Sequence, residues 1–305
     1  MTQNTSKQPM KIGIILDISE GSFEGRTPTF QDLQVMAQAT EQNGLDSLWL
    51  ADHLIYRFPE QDESAPWEAF TMLSALAAVT TRIEIGPMVA CTSFRPPALL
   101  AKMADTLDEI SGGRFILGLG AGWHQPEYDA FGYPFDHLAS RFDEALQVIV
   151  PLLRDGHVDF QGQYYQVNKC VLRPRGPSKA GPPILIGAKG PRMLQLVARH
   201  ADAWNTAWHT DPAVVQERYE QLRTACAEVG RDPATITLTV GTSVRLQPAE
   251  GSETGRAITG SPEEIARQLH AFAAIGVAHL IVELEPLTPA TIEQLGRIAE
   301  LVRAL

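Results

Sequence analysis

Cysteine is scarce: Cys91, Cys170 and Cys226 are the only three in 305 residues. Odd in number, widely spaced and without a Cys-x-x-Cys pair, they argue against a disulfide framework or a zinc cluster and fit reduced thiols in a cytoplasmic protein. No apolar run approaches the roughly 20 residues that span a bilayer, and Met1 to Lys11 is polar with no apolar core of a secretion signal. Membrane insertion and export are therefore not expected. Basic residues are in deficit, 25 Lys and Arg against 36 Asp and Glu, and the net charge of -11 opposes nucleic-acid binding, which needs a basic face. The histidines do not form the spaced set that a metal centre needs, so no metal is expected.

What is present is ordinary in amount and regular in order. Hydrophobic residues make up 44% and charged residues 20%, enough for a sizeable core. The length suits a single barrel domain over residues 1–305, with 1–9 as a flexible N-terminus. Short apolar runs alternate with segments of helical spacing. The strands are expected at 11–17, 47–51, 82–90, 114–117, 184–186, 203–206, 236–244 and 277–284. Helices are expected at 30–43, 67–79, 96–110, 139–153, 191–200, 212–229, 262–275 and 289–305. Pro191, Pro212, Pro262 and Pro289 stand at helix starts, where the missing N–H is harmless.

Eight such units predict an α/β fold, a TIM (β/α)8 barrel. One stretch interrupts the alternation. Between the fourth and fifth strands, residues 154–182 read as an insertion made of a hairpin near 158–167 and a Pro/Gly-rich connector.

Ligands of such barrels bind where the strands end, so the strand ends are the candidate site. The second strand delivers Asp52 and His53. An imidazole titrates near neutrality and can relay a proton, although His53 also reads as a plain loop histidine and Asp52 as a turn or capping residue. Contact between these two neighbours is not assured, since adjacent strand residues face opposite ways. Gly118, Gly120 and Gly122 close the fourth strand and would let the chain turn and a ligand approach the main chain. They lack the remaining spacing of a dinucleotide fingerprint, so a Rossmann reading fails. Gly187-Ala188-Lys189-Gly190 joins a strand to a helix. There free N–H groups and the helix dipole could hold a phosphate, or the glycines could simply turn the chain. Trp49, Trp123, Trp204 and Trp208 fall near strand ends, where aromatics serve either a core or a flat ligand.

Five segments in order resemble the bacterial-luciferase-like monooxygenase superfamily, and within it the coenzyme F420-dependent oxidoreductases. They are Ser47 to His53, Ile85 to Met103, the glycine stretch through Gly132, Pro183 to Trp204, and Gly260 to Glu264 with Ala274 to Val282. The resemblance implies a barrel mouth that holds a deazaflavin (F420) or FMN ring and a small-molecule substrate. His53 would be catalytic, Asp52 would touch the ring's polar edge, and Met88, Val89 and Ala90 would buttress the ring through a non-proline cis peptide at Met88-Val89. The loop Gly187, Ala188, Lys189, Gly190 would bind phosphate, and Trp123 and Trp208 would line the substrate pocket. Hydride transfer with F420 is the leading expectation. An oxygen-activating FMN monooxygenase is the alternative, and a non-catalytic flavin-binding barrel is a third. A homodimer is expected by the same analogy. Trp123 stands where sugar-phosphate dehydrogenases of that branch carry an acidic glutamate, which points to a larger, more apolar substrate.

Overall fold

A computed structural model describes residues 9–60, 62–246 and 257–305. Residues 1–8, which fall in the expected flexible N-terminus, and most of the Gly- and Glu-rich loop after the seventh expected strand lie outside the described residues. Among the described residues no helix is long and apolar enough to cross a membrane.

The chain alternates β1 (Lys11–Leu16), α1 (Phe30–Gln42), β2 (Ser47–Leu50), α2 (Ala69–Ala78), β3 (Glu84–Pro87), β4 (Ala90–Cys91), α3 (Pro97–Ser111), β5 (Leu117–Gly120), α4 (Gln125–Phe131) and α5 (Leu138–Asp155). An antiparallel hairpin follows, β6 (His157–Gln161) with β7 (Gln166–Val171). The second half is β8 (Ile184–Gly187), α6 (Pro191–His200), β9 (Ala203–Thr206), α7 (Pro212–Val229), β10 (Thr237–Arg245), α8 (Pro262–Ala274), β11 (His279–Glu285) and α9 (Pro289–Ala304).

The strands hydrogen-bond in parallel in the order β3-β2-β1-β11-β10-β9-β8-β5-β4. β3 and β4 are consecutive pieces of one stave, interrupted at Met88-Val89, where the peptide is cis. β3 pairs with β2, β4 pairs with β5, and Ile85 also bridges Phe115 ahead of β5, so the stave closes the ring. Nine strand segments thus make eight staves of a TIM-type α/β barrel, as the alternation predicts.

Two expectations need correction. The fourth stave lies at 117–120 instead of 114–117, because glycines 118 and 120 are inside the strand. A Cβ on Gly118 would stand 2.0 Å from the Pro87 carbonyl oxygen and one on Gly120 2.6 Å from Val89 Cγ2, so both glycines admit the neighbouring stave. The stretch holding Glu127 and Tyr128, expected as loop, contains the extra helix α4.

Among the described residues three apolar clusters hold the fold, one of them a small group of Cys91, Phe94 and Tyr128 near the mouth. The largest lies between staves and helices, where for example Ile12, Ile14 and Leu16 meet Leu33, Met36 and Ala37 of α1. The other fills the barrel itself, with Trp49, Leu185, Ala203 and Ile281 packed with Ile15, Met88, Val89 and Ile116. Strand alternation then dictates what stands above this layer at the carboxyl ends: two residues beyond Ile15 is Asp17, and two beyond Ile281 is Glu283.

Candidate active site at the barrel mouth

Above the inner layer opens a cavity of about 1030 Å³. It is lined by Asp52, His53, Met88, Val89, Ala90, Trp123, Gly187, Ala188, Lys189 and Trp208. Of the residues given a role by the family resemblance only Gly190 lies off its wall; it is the N-cap of α6 directly after Lys189, at φ 79°. Trp49 and Trp204 are instead buried, Trp49 donating to Ser47 Oγ at 2.7 Å and Trp204 to the Ala188 carbonyl at 3.1 Å.

Val89 forms the floor. The glycines of two other staves make room for it: besides Gly120, a Cβ on Gly187 would lie 3.1 Å from Val89 Cγ1. These glycines therefore serve side-chain packing more than the sharp turn expected of them. Gly122 is the turning residue, with φ 83°, and it is also crowded: its Cβ would fall 1.7 Å from Tyr128 Oη. Tyr128 Oη donates to the Ala121 carbonyl at 3.0 Å and lies 2.9 Å from Cys91 Sγ. Burial pushes the Cys91 thiol up to about 12, so it is inert as a nucleophile near neutrality.

Asp52 and His53, which follow the end of β2, take different partners. The Asp52 carboxylate takes a bidentate pair from Arg95 (2.7 and 2.9 Å) and the Cys91 N–H (2.9 Å). Arg95 continues to Glu68 at 2.5 Å, the residue that caps α2. Burial works against the guanidinium's charge, but Asp52 and Glu68 outweigh it and raise the Arg95 pKa.

His53 meets a different carboxylate. Its Nδ1 lies 3.0 Å from Oε1 and 3.3 Å from Oε2 of Glu127 on α4, and the Leu54 N–H donates to Glu127 Oε2 at 2.9 Å. Glu127 is 1% exposed. Sequence reasoning did not assign it a role, because the contact spans 74 positions and nothing local announces it.

Aromatic rings surround the imidazole. Tyr56 stands 4.8 Å from it and Trp123 5.6 Å, with Phe58 stacked on Trp123 at 6.3 Å. Burial, followed by the charges of Asp17, Glu127 and Asp52, raises the Tyr56 pKa and keeps the phenol protonated. Trp123 is 60% and Trp208 46% exposed, so both offer free faces to a ligand.

The far wall has the opposite character. α6 starts without a side-chain cap, and Lys189, which lines the cavity, forms no ion pair among the described residues. His209 nearby is pushed down to about 4, first by burial and then by the charges of Arg218 and Lys189. Such a wall suits an anion. Among the described residues no group of three or more His, Cys, Asp or Glu is placed to hold a metal ion.

The mouth of this eight-stave parallel barrel thus joins an aromatic wall that carries His53 to a wall where Lys189 stands at a helix N-terminus. A luciferase-like monooxygenase family model matches residues 10–254, and the chain belongs to that family. The pyrimidine monooxygenase RutA of Cronobacter turicensis is 32% identical over 249 residues, 75% of this chain and 64% of that relative. This chain thus spans less than two thirds of that relative's length. In fold it resembles the coenzyme F420-dependent tetrahydromethanopterin reductase of Methanopyrus kandleri (TM-score 0.77, 20% identity, 95% and 98% of the two chains). It is equally similar to a riboflavin lyase solved with modified FMN and riboflavin (TM-score 0.81, 15% identity, 97% and 92% of the chains).

Proposed function

We propose that the protein is a reduced-FMN-dependent monooxygenase acting on a planar, weakly polar ring substrate. The observation that carries this reading is one cavity in which the His53 pair lies three staves from an uncapped helix N-terminus with Lys189. A phosphate tail and a proton-relaying residue are thereby given opposite ends of one ring-sized space. The volume lies at the upper end of ligand pockets, about 300–1,000 Å³, room for a tricyclic ring and a second small molecule.

Val89, seated among the glycines, would support the ring from below, and the Gly190 N–H with the Lys189 ammonium would hold the phosphate. A bound reduced flavin supplies the oxygen chemistry itself. The chain's own contributions are orientation, exclusion of water by Tyr56, Phe58 and Trp123, and proton transfer at His53. His53 lines the cavity with Nδ1 committed to Glu127, so Nε2 is the nitrogen left for a reacting molecule. Relatedness to pyrimidine monooxygenases at 32% identity supports this choice of cofactor and a heterocyclic substrate.

The second reading is hydride transfer with F420, favoured by the match to an F420-dependent reductase along almost its whole length. A visible-spectrum titration with FMN and F420, followed by oxygen uptake with reduced FMN and uracil, separates them. Oxygen uptake dependent on uracil and lost in His53→Ala is expected. Tight binding of F420 without binding of FMN would replace the first reading by the second, and binding of neither would end both.

A further inference from the structure

We propose that Glu127 is the positioning residue of the relay, fixing which nitrogen of His53 carries the proton. This rests on the reading of His53 as the proton-transferring group. A carboxylate can only accept hydrogen bonds. Glu127 uses Oε1 for His53 Nδ1 and Oε2 for the Leu54 N–H, so Nδ1 must carry hydrogen and Nε2 of the neutral ring is an acceptor facing the cavity. When Nε2 takes a proton, the imidazolium forms against a carboxylate that is already buried, and its charge is balanced without rearrangement.

The supports of Glu127 are themselves fixed. Glu127 belongs to the first turn of α4, and the next residue, Tyr128, ties that helix to Ala121 and Cys91. The sequence neighbour of His53, Asp52, is not available to it, because Asp52 is taken by Arg95 and the Cys91 N–H. His124, 6.5 Å from His53, is held toward its neutral form, mainly by burial, and accepts at Nε2 from the Arg57 N–H, so it does not compete for Glu127.

Glu127→Gln is the decisive variant because it keeps the volume. A carboxamide offers one oxygen to two donors. With that oxygen kept on the Leu54 N–H, its NH2 meets Nδ1, which must then accept, and the proton moves to Nε2. The ¹⁵N spectrum of the cofactor-free protein at about pH 8 reads this directly, with His53→Asn identifying the resonance. The expected result is an Nδ1–H tautomer in the parent and its loss in Glu127→Gln. FMN affinity and melting temperature should stay close to the parent's, while kcat on uracil falls about 100-fold with KM little changed. A parent His53 in the Nε2–H form, or a variant with the parent tautomer and full turnover, overturns the proposal. A parent inactive on uracil strikes the monooxygenase reading alone and leaves the tautomer to decide the role of Glu127.

Discussion

His279 lies at the end of the barrel away from the cavity, 5.8 Å from Trp49 and 5% exposed. Ser47 Oγ accepts from Trp49 Nε1 and pairs with His279 Nε2, each at 2.7 Å. Burial, aided by Lys11, pushes its pKa down to about 3 from 6.5. As the pH falls below 6.5 the unfolded chain takes the proton first, so stability is lost progressively until about pH 3. At pH 5 the loss is about 2 kcal/mol. Urea denaturation at pH 7 and pH 5 should show it, and His279→Gln should flatten that part of the profile. Gly122 is a second test at this scale: Gly122→Ala places a methyl 1.7 Å from Tyr128 Oη at a left-handed φ, and a loss of about 1–3 kcal/mol is expected in the same assay. Single residues were legible in the sequence where strand periodicity settles them. The end of β2 was expected to bring Asp52 and His53 to the mouth, and both line the cavity. The partner of each was hidden, since Glu127 and Arg95 meet them 74 and 43 positions away.

At the scale of elements, Arg95 acts as a clasp between the end of β2, the start of α3 and the N-terminus of α2, where Glu68 accepts from the N–H groups of Phe70 and Thr71. Asp52 and Arg95 are both nearly buried side chains, 0% and 10% exposed. Removing the Asp52 charge leaves Arg95 only Glu68 as a partner, so Asp52→Asn should lose about 2–3 kcal/mol of stability in urea. If Asp52 serves the clasp alone, FMN affinity of the folded fraction will be unchanged; a drop in affinity would restore the ring contact that family resemblance assigns to it. The strand and helix alternation was readable because apolar runs and helical spacing are local signals. The cis peptide at Met88-Val89, where β3 gives way to β4, was expected from the family resemblance alone, and the shift of β5 was not readable, because Gly118 and Gly120 look like a strand's end until Val89 is seen filling the space they leave. α4 spans only seven residues, too short for helical periodicity to register.

For the whole molecule, the cavity wall draws residues from every stave but β10, among them Asp17, His53, Val89, Gly120, Gly187, Asn205 and Glu283. No part of the chain holds the site alone, so a bound coenzyme should stabilise the barrel against global unfolding. FMN at a hundred times its Kd should add about 2.7 kcal/mol. Lys189 has no ion-pair partner among the described residues, and its charge would act on the phosphate and not on the ring. Lys189→Ala should therefore weaken FMN about 10-fold and halve the stabilisation at the same concentration. Riboflavin, which has the ring and the ribityl chain but no phosphate, should stabilise parent and variant alike. Chemical denaturation of both proteins with each ligand makes the comparison. An equal loss with riboflavin would mean that Lys189 shapes the cavity wall, and an unchanged response to FMN would move the phosphate away from Gly187–Gly190.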